Sequence, residues 1–152
     1  MSIQKPKMIL FDYGHTLLYE IGHNAEKGNK AIYQYIKSNP KNISFQEFNK
    51  IVNSTFKKIN ECGNGIDICE KNFLRLVYGY MNIELSVSLE EAESIIWNGV
   101  SECDIMPNAN KILDYLNKND IRSGVISNMC WSGKSLKDRL NRLLPNNKLE
   151  FA

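Results

Sequence analysis

The sequence predicts an α/β fold in which a parallel sheet carries a long helical insert. Two short apolar segments, at residues 8–11 and 124–126, are bounded by polar turn residues, which is typical of buried strands. Four amphipathic segments lie between them. A further helix comes directly before the second strand, and this succession of helix and strand favours a parallel sheet.

The first strand ends in a single carboxylate. Asp12 follows the apolar run and is followed by a turn-like stretch, Tyr13, Gly14 and His15. Open α/β sheets bind ligands outside the carboxyl ends of their strands. An aspartate in that position is a candidate nucleophile or metal ligand. The alternative is an ordinary turn aspartate at the end of a strand.

The four segments of the insert have the periodicity of helices with one buried face. They are predicted at residues 24–37, from Ser44 to a glycine-rich end at 62–65, at residues 67–81, and from Ser88 to Val100. Glu47 follows Ser44 and Glu91 follows Ser88 at the spacing of a capping box, which marks a helix N-terminus. Their apolar stripes are most simply core faces rather than cofactor or partner surfaces.

The second strand is preceded by a helix that is predicted to begin at Pro107. The strand itself ends in Ser127 and Asn128. If it lies parallel beside the first, a carboxylate, a hydroxyl and backbone N–H groups meet at one sheet edge, as a bound phosphoryl group requires. A leucine-rich helix follows, and residues 148–152 are predicted to begin another strand.

Composition excludes several classes of function. A net charge of +2 over 152 residues gives no reason to expect a nucleic-acid or membrane partner. The N-terminus lacks the apolar core of a signal peptide, so we expect a cytoplasmic protein whose four cysteines are reduced. The cysteine spacings match no common zinc pattern. The sequence does not indicate an oligomeric state.

The segments ILFDYGHTL and GVISN, separated by a helical stretch, resemble motifs I and II of the haloacid dehalogenase-like (HAD) superfamily. The resemblance implies a Rossmann-like core, incomplete here, formed by residues 1–22 and 101–152. It also implies a helical cap at residues 23–100, hinged near Gly22 and residues 101–107, that closes over the strand ends. The implied activity is a Mg²⁺-dependent phosphatase acting on a small phosphorylated metabolite.

The resemblance also implies roles for individual residues. Asp12 would attack phosphorus to form an aspartyl-phosphate that water later hydrolyses. Mg²⁺ would bind the Asp12 side chain and the backbone carbonyl of Gly14. Ser127 would hydrogen-bond a phosphoryl oxygen, with the amide of Asn128 nearby. The hydroxyl of Thr16 would stabilise the turn.

The chain departs from the family pattern at two neighbouring positions. Gly14 stands where phosphatases have a second aspartate that protonates the leaving group, and His15 stands where a glycine is usual. Losing a general acid typically costs about 10²–10⁴ in rate. Three explanations remain open. The leaving group needs no proton, as in dehalogenase-like relatives; or the imidazole of His15 supplies the proton; or the site only binds phosphate, as a regulatory module.

Two family elements are not assigned in this sequence. One is a lysine that neutralises the phosphoryl group, and Lys134, Lys137 and Lys148 come too early for that role. The other is a final metal-binding acid. We therefore expect a truncated copy of a longer protein, and no significant hydrolysis by the 152-residue chain alone.

Overall fold

The computed structural model describes residues 5–63 and 68–152, which form a mixed α/β protein. The elements of this described part, in chain order, are β1 (Met8–Phe11), β2 (Leu18–Ile21), α1 (Ala25–Tyr33), β3 (Ile36–Ser38), α2 (Phe45–Cys62), α3 (Glu70–Met81), β4 (Glu84–Leu85), α4 (Leu89–Val100), β5 (Glu102–Ile105), α5 (Ala109–Lys118), β6 (Arg122–Val125) and α6 (Gly133–Leu143).

The two predicted strands form a parallel pair. β1 and β6 are aligned from Met8 opposite Arg122 to Phe11 opposite Val125. The Ile126 N–H donates to the Phe11 carbonyl at 2.9 Å and carries the pairing one residue further. The prediction of adjacent parallel strands is confirmed, as a two-stranded sheet.

The C-terminal segment at residues 148–152 does not form the strand predicted for it. It runs beside β6, where the Glu150 N–H donates to the Ser123 carbonyl at 2.9 Å and the Val125 N–H donates to the Phe151 carbonyl at 3.0 Å. The Phe151 ring covers Gly124 so closely that a Cβ there would lie 2.7 Å from it. These backbone hydrogen bonds, the ring contact and the Arg122–Glu150 ion pair at 2.7 Å hold the segment without a regular ladder.

Two further pairs of short strands were not predicted. β2 pairs with β5, so the segments that flank the helical insert are joined to each other. β3 pairs antiparallel with β4. The predicted helix at 24–37 is therefore wrong in its last turn, because α1 ends at Tyr33 and residues 36–38 are held by β4 instead. Pairing with a distant segment has overridden the local helical pattern.

The helical prediction for the insert is otherwise close. Both capping boxes are present, with the Ser44 and Ser88 side chains accepting from the backbone of Glu47 and Glu91. The predicted glycine-rich end at 64–65 and the predicted start of the third helix at Asp67 lie outside the described residues. After the insert, α5 begins at Ala109 rather than Pro107, because Asn108 before it has a left-handed backbone with φ 68°.

The chain divides into two compact units. The sheet unit contains residues 5–21, 103–128 and 133–152; the helical unit contains residues 22–63, 68–102 and the short loop 129–132. The expected boundaries lay at residues 22–23 and 100–101. The observed division falls within two residues of both, and the assignment of loop 129–132 to the helical unit was not anticipated.

The helical unit is built around a core of buried apolar side chains. Its largest members include Phe48, Leu74, Met81 and Trp97, each at most 2% exposed. α1 and α4 cross closely, because two glycines face the crossing: a Cβ on Gly28 would meet Val100 Cγ2 at 2.5 Å, and a Cβ on Gly99 would meet the Gly28 Cα at 2.9 Å. In the described part of the chain, no helix is both long and apolar enough to cross a membrane.

Candidate active site at the ends of the parallel strands

The structure brings the two predicted polar groups to the same edge of the sheet. Phe11 and Val125 are the last aligned pair, so Asp12 lies one residue beyond it and Ser127 two residues beyond it. Asp12 and Asn128 are exposed, and Ser127 is half-buried. Neighbouring strands are about 4.8 Å apart, which is within the span of one phosphoryl group and its ligands. The polar groups therefore share one solvent-accessible edge.

The turn after Asp12 is fixed by its own backbone. The N–H groups of Thr16, Leu17 and Leu18 all donate to the Tyr13 carbonyl, at 3.3, 3.1 and 3.3 Å. The His15 N–H donates to the Leu18 carbonyl at 2.8 Å. These bonds fold residues 13–18 tightly, and so present Asp12 from a rigid turn rather than from a loose loop.

His15 occupies a backbone conformation that favours glycine. Its φ is 55°, in the left-handed region that costs a residue with a Cβ about 1–2 kcal/mol. Its side chain is exposed, so packing does not explain the choice of residue. Strained residues with no packing role cluster at functional sites. Gly14 is unstrained, and a Cβ added there would meet nothing within 4 Å.

A buried ionic group anchors the turn to α6. The Arg139 Nη1 donates to Glu20 Oε1 at 2.9 Å and to the Tyr13 hydroxyl at 3.3 Å. The Arg139 side chain is only 2% exposed, whereas that of Glu20 is 35% exposed. Burial raises the pKa of Tyr13 to about 12, against the opposing effect of the Arg139 hydrogen bond and charge. The Tyr13 side chain therefore stays neutral. Its hydrogen bond from Arg139 fixes the position of Tyr13, the residue that follows Asp12.

Sequence reasoning missed this anchor. Arg139 lies on the leucine-rich face of α6, between the buried Leu136 and Leu140. A charged residue within an apolar stripe was the available signal, because a buried arginine needs a partner. Its partners, Glu20 and Tyr13, are more than a hundred residues away, and nothing in the local pattern identifies them.

Two of the three lysines considered in the sequence analysis make local contacts in the sheet unit. Lys134 pairs with Asp138 at 2.7 Å, one helical turn along α6. The Lys137 ammonium donates to the Glu150 carbonyl at 3.2 Å. Both contacts are local to α6 and the C-terminal segment.

The donor set for a magnesium ion is small. Within residues 5–63 and 68–152, no three His, Cys, Asp or Glu side chains form a group that could hold a metal. The site would offer one carboxylate, from Asp12, and one backbone carbonyl, from Gly14. Mg²⁺ commonly takes one or two carboxylates and fills its other positions with water and substrate phosphate. The residues therefore fit an ion shared with a phosphorylated ligand, and not a tight site made by protein alone.

No protein-family model matches the chain, and no curated protein matches it significantly.

Proposed function

We propose that this chain carries the nucleophile of a HAD-like hydrolase of the cytoplasm, in which the phosphoryl group of a small phosphorylated metabolite passes onto Asp12 with Mg²⁺ as cofactor. In this proposal, the β1–β6 pair belongs to a Rossmann-like core and the helical unit serves as its cap. The observation that carries the proposal is the common edge at which Asp12, Ser127 and Asn128 follow two adjacent parallel strands.

The proposed chemistry uses the residues at that edge. A carboxylate oxygen of Asp12 forms a bond to phosphorus while the bond from phosphorus to the leaving oxygen breaks, and the leaving group takes the electron pair. Ser127 donates its hydroxyl hydrogen to a phosphoryl oxygen. Water then attacks the aspartyl-phosphate, releasing phosphate and restoring Asp12. Mg²⁺, when bound, screens the repulsion between the Asp12 carboxylate and the anionic substrate.

The leaving group is the point at which this chain differs from an ordinary phosphatase. Gly14 provides no acid, so an alkoxide leaving group would depart unprotonated unless His15 donates. The exposed imidazole of His15, held on a tight turn three residues after Asp12, is the candidate proton donor within that turn. Acyl phosphates need no proton on departure and are the simplest phosphorylated substrates for such a site. A halide would leave in the same way, as in dehalogenase-like hydrolases.

The test is formation of a stoichiometric phosphoryl mimic on Asp12. Beryllofluoride bonds to a carboxylate oxygen and reproduces the tetrahedral phosphoryl group without requiring turnover. In fluorine NMR, we expect the chain with Mg²⁺ to give one bound adduct, which Asp12→Asn abolishes and Ser127→Ala weakens. Asp114→Asn, at an exposed position on α5 of the same unit, is the matched control and should leave the adduct intact.

The result also separates the catalytic proposal from its main alternative. Because Gly14 replaces the acid, a phosphate-binding regulatory module is the second candidate. Such a module would bind inorganic phosphate but form no beryllofluoride adduct on Asp12. An adduct that survives Asp12→Asn would refute the assignment of the nucleophile, and one that is undiminished without Mg²⁺ would remove the metal from the proposal.

A further inference from the structure

The helical unit contains a cavity of about 190 Å³ that the proposed activity does not use. All of its lining residues belong to this one unit. They come from the start of the insert, from α1 to α4, and from the loop at 129–132. The volume is well above the space for one ordered water and below the roughly 300–1,000 Å³ of pockets for drug-sized ligands. It therefore suits a small ligand or a single head group.

The cavity has aromatic walls. Phe56 and Phe73 meet edge to face, with ring centroids 5.6 Å apart. The indole of Trp131 also lines the cavity and is stacked on Trp97, with centroids 5.1 Å apart and ring planes within 6°. Trp97 is 2% exposed, so this stack is held by the core. Aromatic faces of this kind attract cations, and tryptophan does so best.

Among the described residues that line the cavity, the one carboxylate is buried. Glu70, in the first turn of α3, is 6% exposed. No lysine or arginine is among the lining residues that the structure describes. Burial raises the pKa of Glu70, and the negative charge of Glu93 raises it further. Among the described lining residues, Glu70 is therefore a buried carboxyl group with no lysine or arginine to pair with it.

An amide adds an acceptor to the same wall. Asn29 is 5% exposed. Its Nδ2 donates to Asn49 Oδ1 at 2.8 Å and to Asn53 Oδ1 at 3.4 Å. Both N–H groups of Asn29 are thus engaged with neighbouring amides, which leaves its carbonyl oxygen as the acceptor that the residue offers to a ligand.

The loop that carries Trp131 is tied down on both sides. The Glu70 N–H donates to the Cys130 carbonyl at 2.9 Å. The Ser132 N–H donates to Glu93 Oε1 at 2.7 Å, and the Ser132 hydroxyl donates to the second oxygen of the same carboxylate. Glu93 is fully buried. A wall that is held in place before binding lowers the cost of ordering it around a ligand.

We propose that this cavity binds a small organic ammonium ion, with its cationic head against the Trp131, Phe56 and Phe73 rings and the Glu70 carboxylate. The three features needed for such a ligand meet in one place: aromatic faces, a carboxylate with no lysine or arginine beside it among the described lining residues, and an acceptor oxygen on Asn29. A small anion finds no lysine or arginine among the described lining residues, and a neutral ligand would not compensate the ionised form of Glu70. This site is separate from the proposed function at Asp12 and does not rest on it.

The test uses choline as the probe and 3,3-dimethyl-1-butanol as its uncharged isostere. We expect choline to shift the Trp131 indole and the Asn29 and Asn53 side-chain amide signals in a saturable NMR titration of the whole chain. The neutral isostere should bind at least about tenfold more weakly, a ratio that corresponds to about 1.4 kcal/mol. Equal binding of the two probes, or no saturable shift with choline, would overturn the proposal.

Variants separate the cation site from general apolar binding. Glu70→Gln keeps the shape of the side chain and should weaken choline binding at least about tenfold. Glu61→Gln, at an exposed position on α2, is the control and should change nothing. Trp131→Leu should weaken choline more than it weakens the neutral isostere. Choline binding that survives Glu70→Gln unchanged would refute the role of the carboxylate.

Discussion

The free energy of unfolding of the helical unit should depend on the ionisation of Glu70. Burial first, and then the charge of Glu93, raises the pKa of Glu70 to about 7, compared with an ordinary value of 4.5. At about 1.4 kcal/mol per pKa unit, this difference corresponds to about 3 kcal/mol. The other titratable groups near Glu70 are Tyr78 on α3, whose pKa is also raised by burial, and His23 and Cys130 in the cavity wall.

The sign follows from which state holds the proton. Between pH 4.5 and about 7, the folded chain keeps a proton that the unfolded chain has released. Stability from this group is therefore fully present below about pH 4.5 and is lost as the pH rises through about 7. Glu70→Gln removes the ionisation and keeps the shape. We expect the variant to match the parent chain at pH 4 and to be about 3 kcal/mol more stable at pH 8.

The assay is denaturant unfolding followed by tryptophan fluorescence at several pH values. Both tryptophans of the chain, Trp97 and Trp131, lie in the helical unit, so their emission reports on the unit that contains Glu70. Contributions from all other groups cancel when the variant is subtracted from the parent at each pH. A difference in unfolding free energy that is constant from pH 4 to pH 8 would refute the reasoning. Glu61→Gln should give that flat profile.

Four further substitutions, one of them a matched control, test the two units. His15→Gly should raise stability by up to about 1 kcal/mol in thermal unfolding by circular dichroism, because it relieves a left-handed backbone without losing packing; no gain would contradict this. Gly28→Ala should lower the free energy of unfolding by about 1–3 kcal/mol, because the new Cβ clashes with α4. In the matched control Gly79→Ala, the Cβ meets nothing within 4 Å, and the free energy of unfolding should rise by up to about 1 kcal/mol. Gly14→Asp should leave the free energy of unfolding within about 0.5 kcal/mol of the parent. It should also raise the rate at which an alkyl phosphate phosphorylates Asp12 in a single turnover about 10²–10⁴-fold, measured by mass spectrometry. An unchanged rate would show that no proton donor is missing.

The cavity and the turn use charged groups in different ways. In the turn, Arg139 and Glu20 pair at 2.9 Å, and that pair holds Tyr13 beside Asp12. In the cavity, no lysine or arginine is among the described lining residues to pair with Glu70. A paired charge fixes a backbone, whereas the burial of Glu70 makes the stability of its unit dependent on pH.

Local signals in the sequence determined the features that depend on a few consecutive residues. The capping boxes at Ser44 and Ser88 predicted two helix starts to the residue, because cap and first turn are a single local structure. The apolar runs that end at Asp12 and Ser127 predicted two strands, and the helix before the second predicted their parallel pairing. The HAD-like assignment and the roles of the site residues stay predictions.

Only the tertiary structure decided the features that join distant segments. The last turn of the predicted first helix became β3 because Ile36 and Ser38 pair with β4, nearly fifty residues on. The anchor between Tyr13, Glu20 and Arg139, and the cavity that brings Glu70 to Trp131, both join segments that share no local pattern. Propensity and capping are energies of neighbouring residues, whereas strand pairing, buried charge and cavity shape depend on which distant segments the folded chain places in contact.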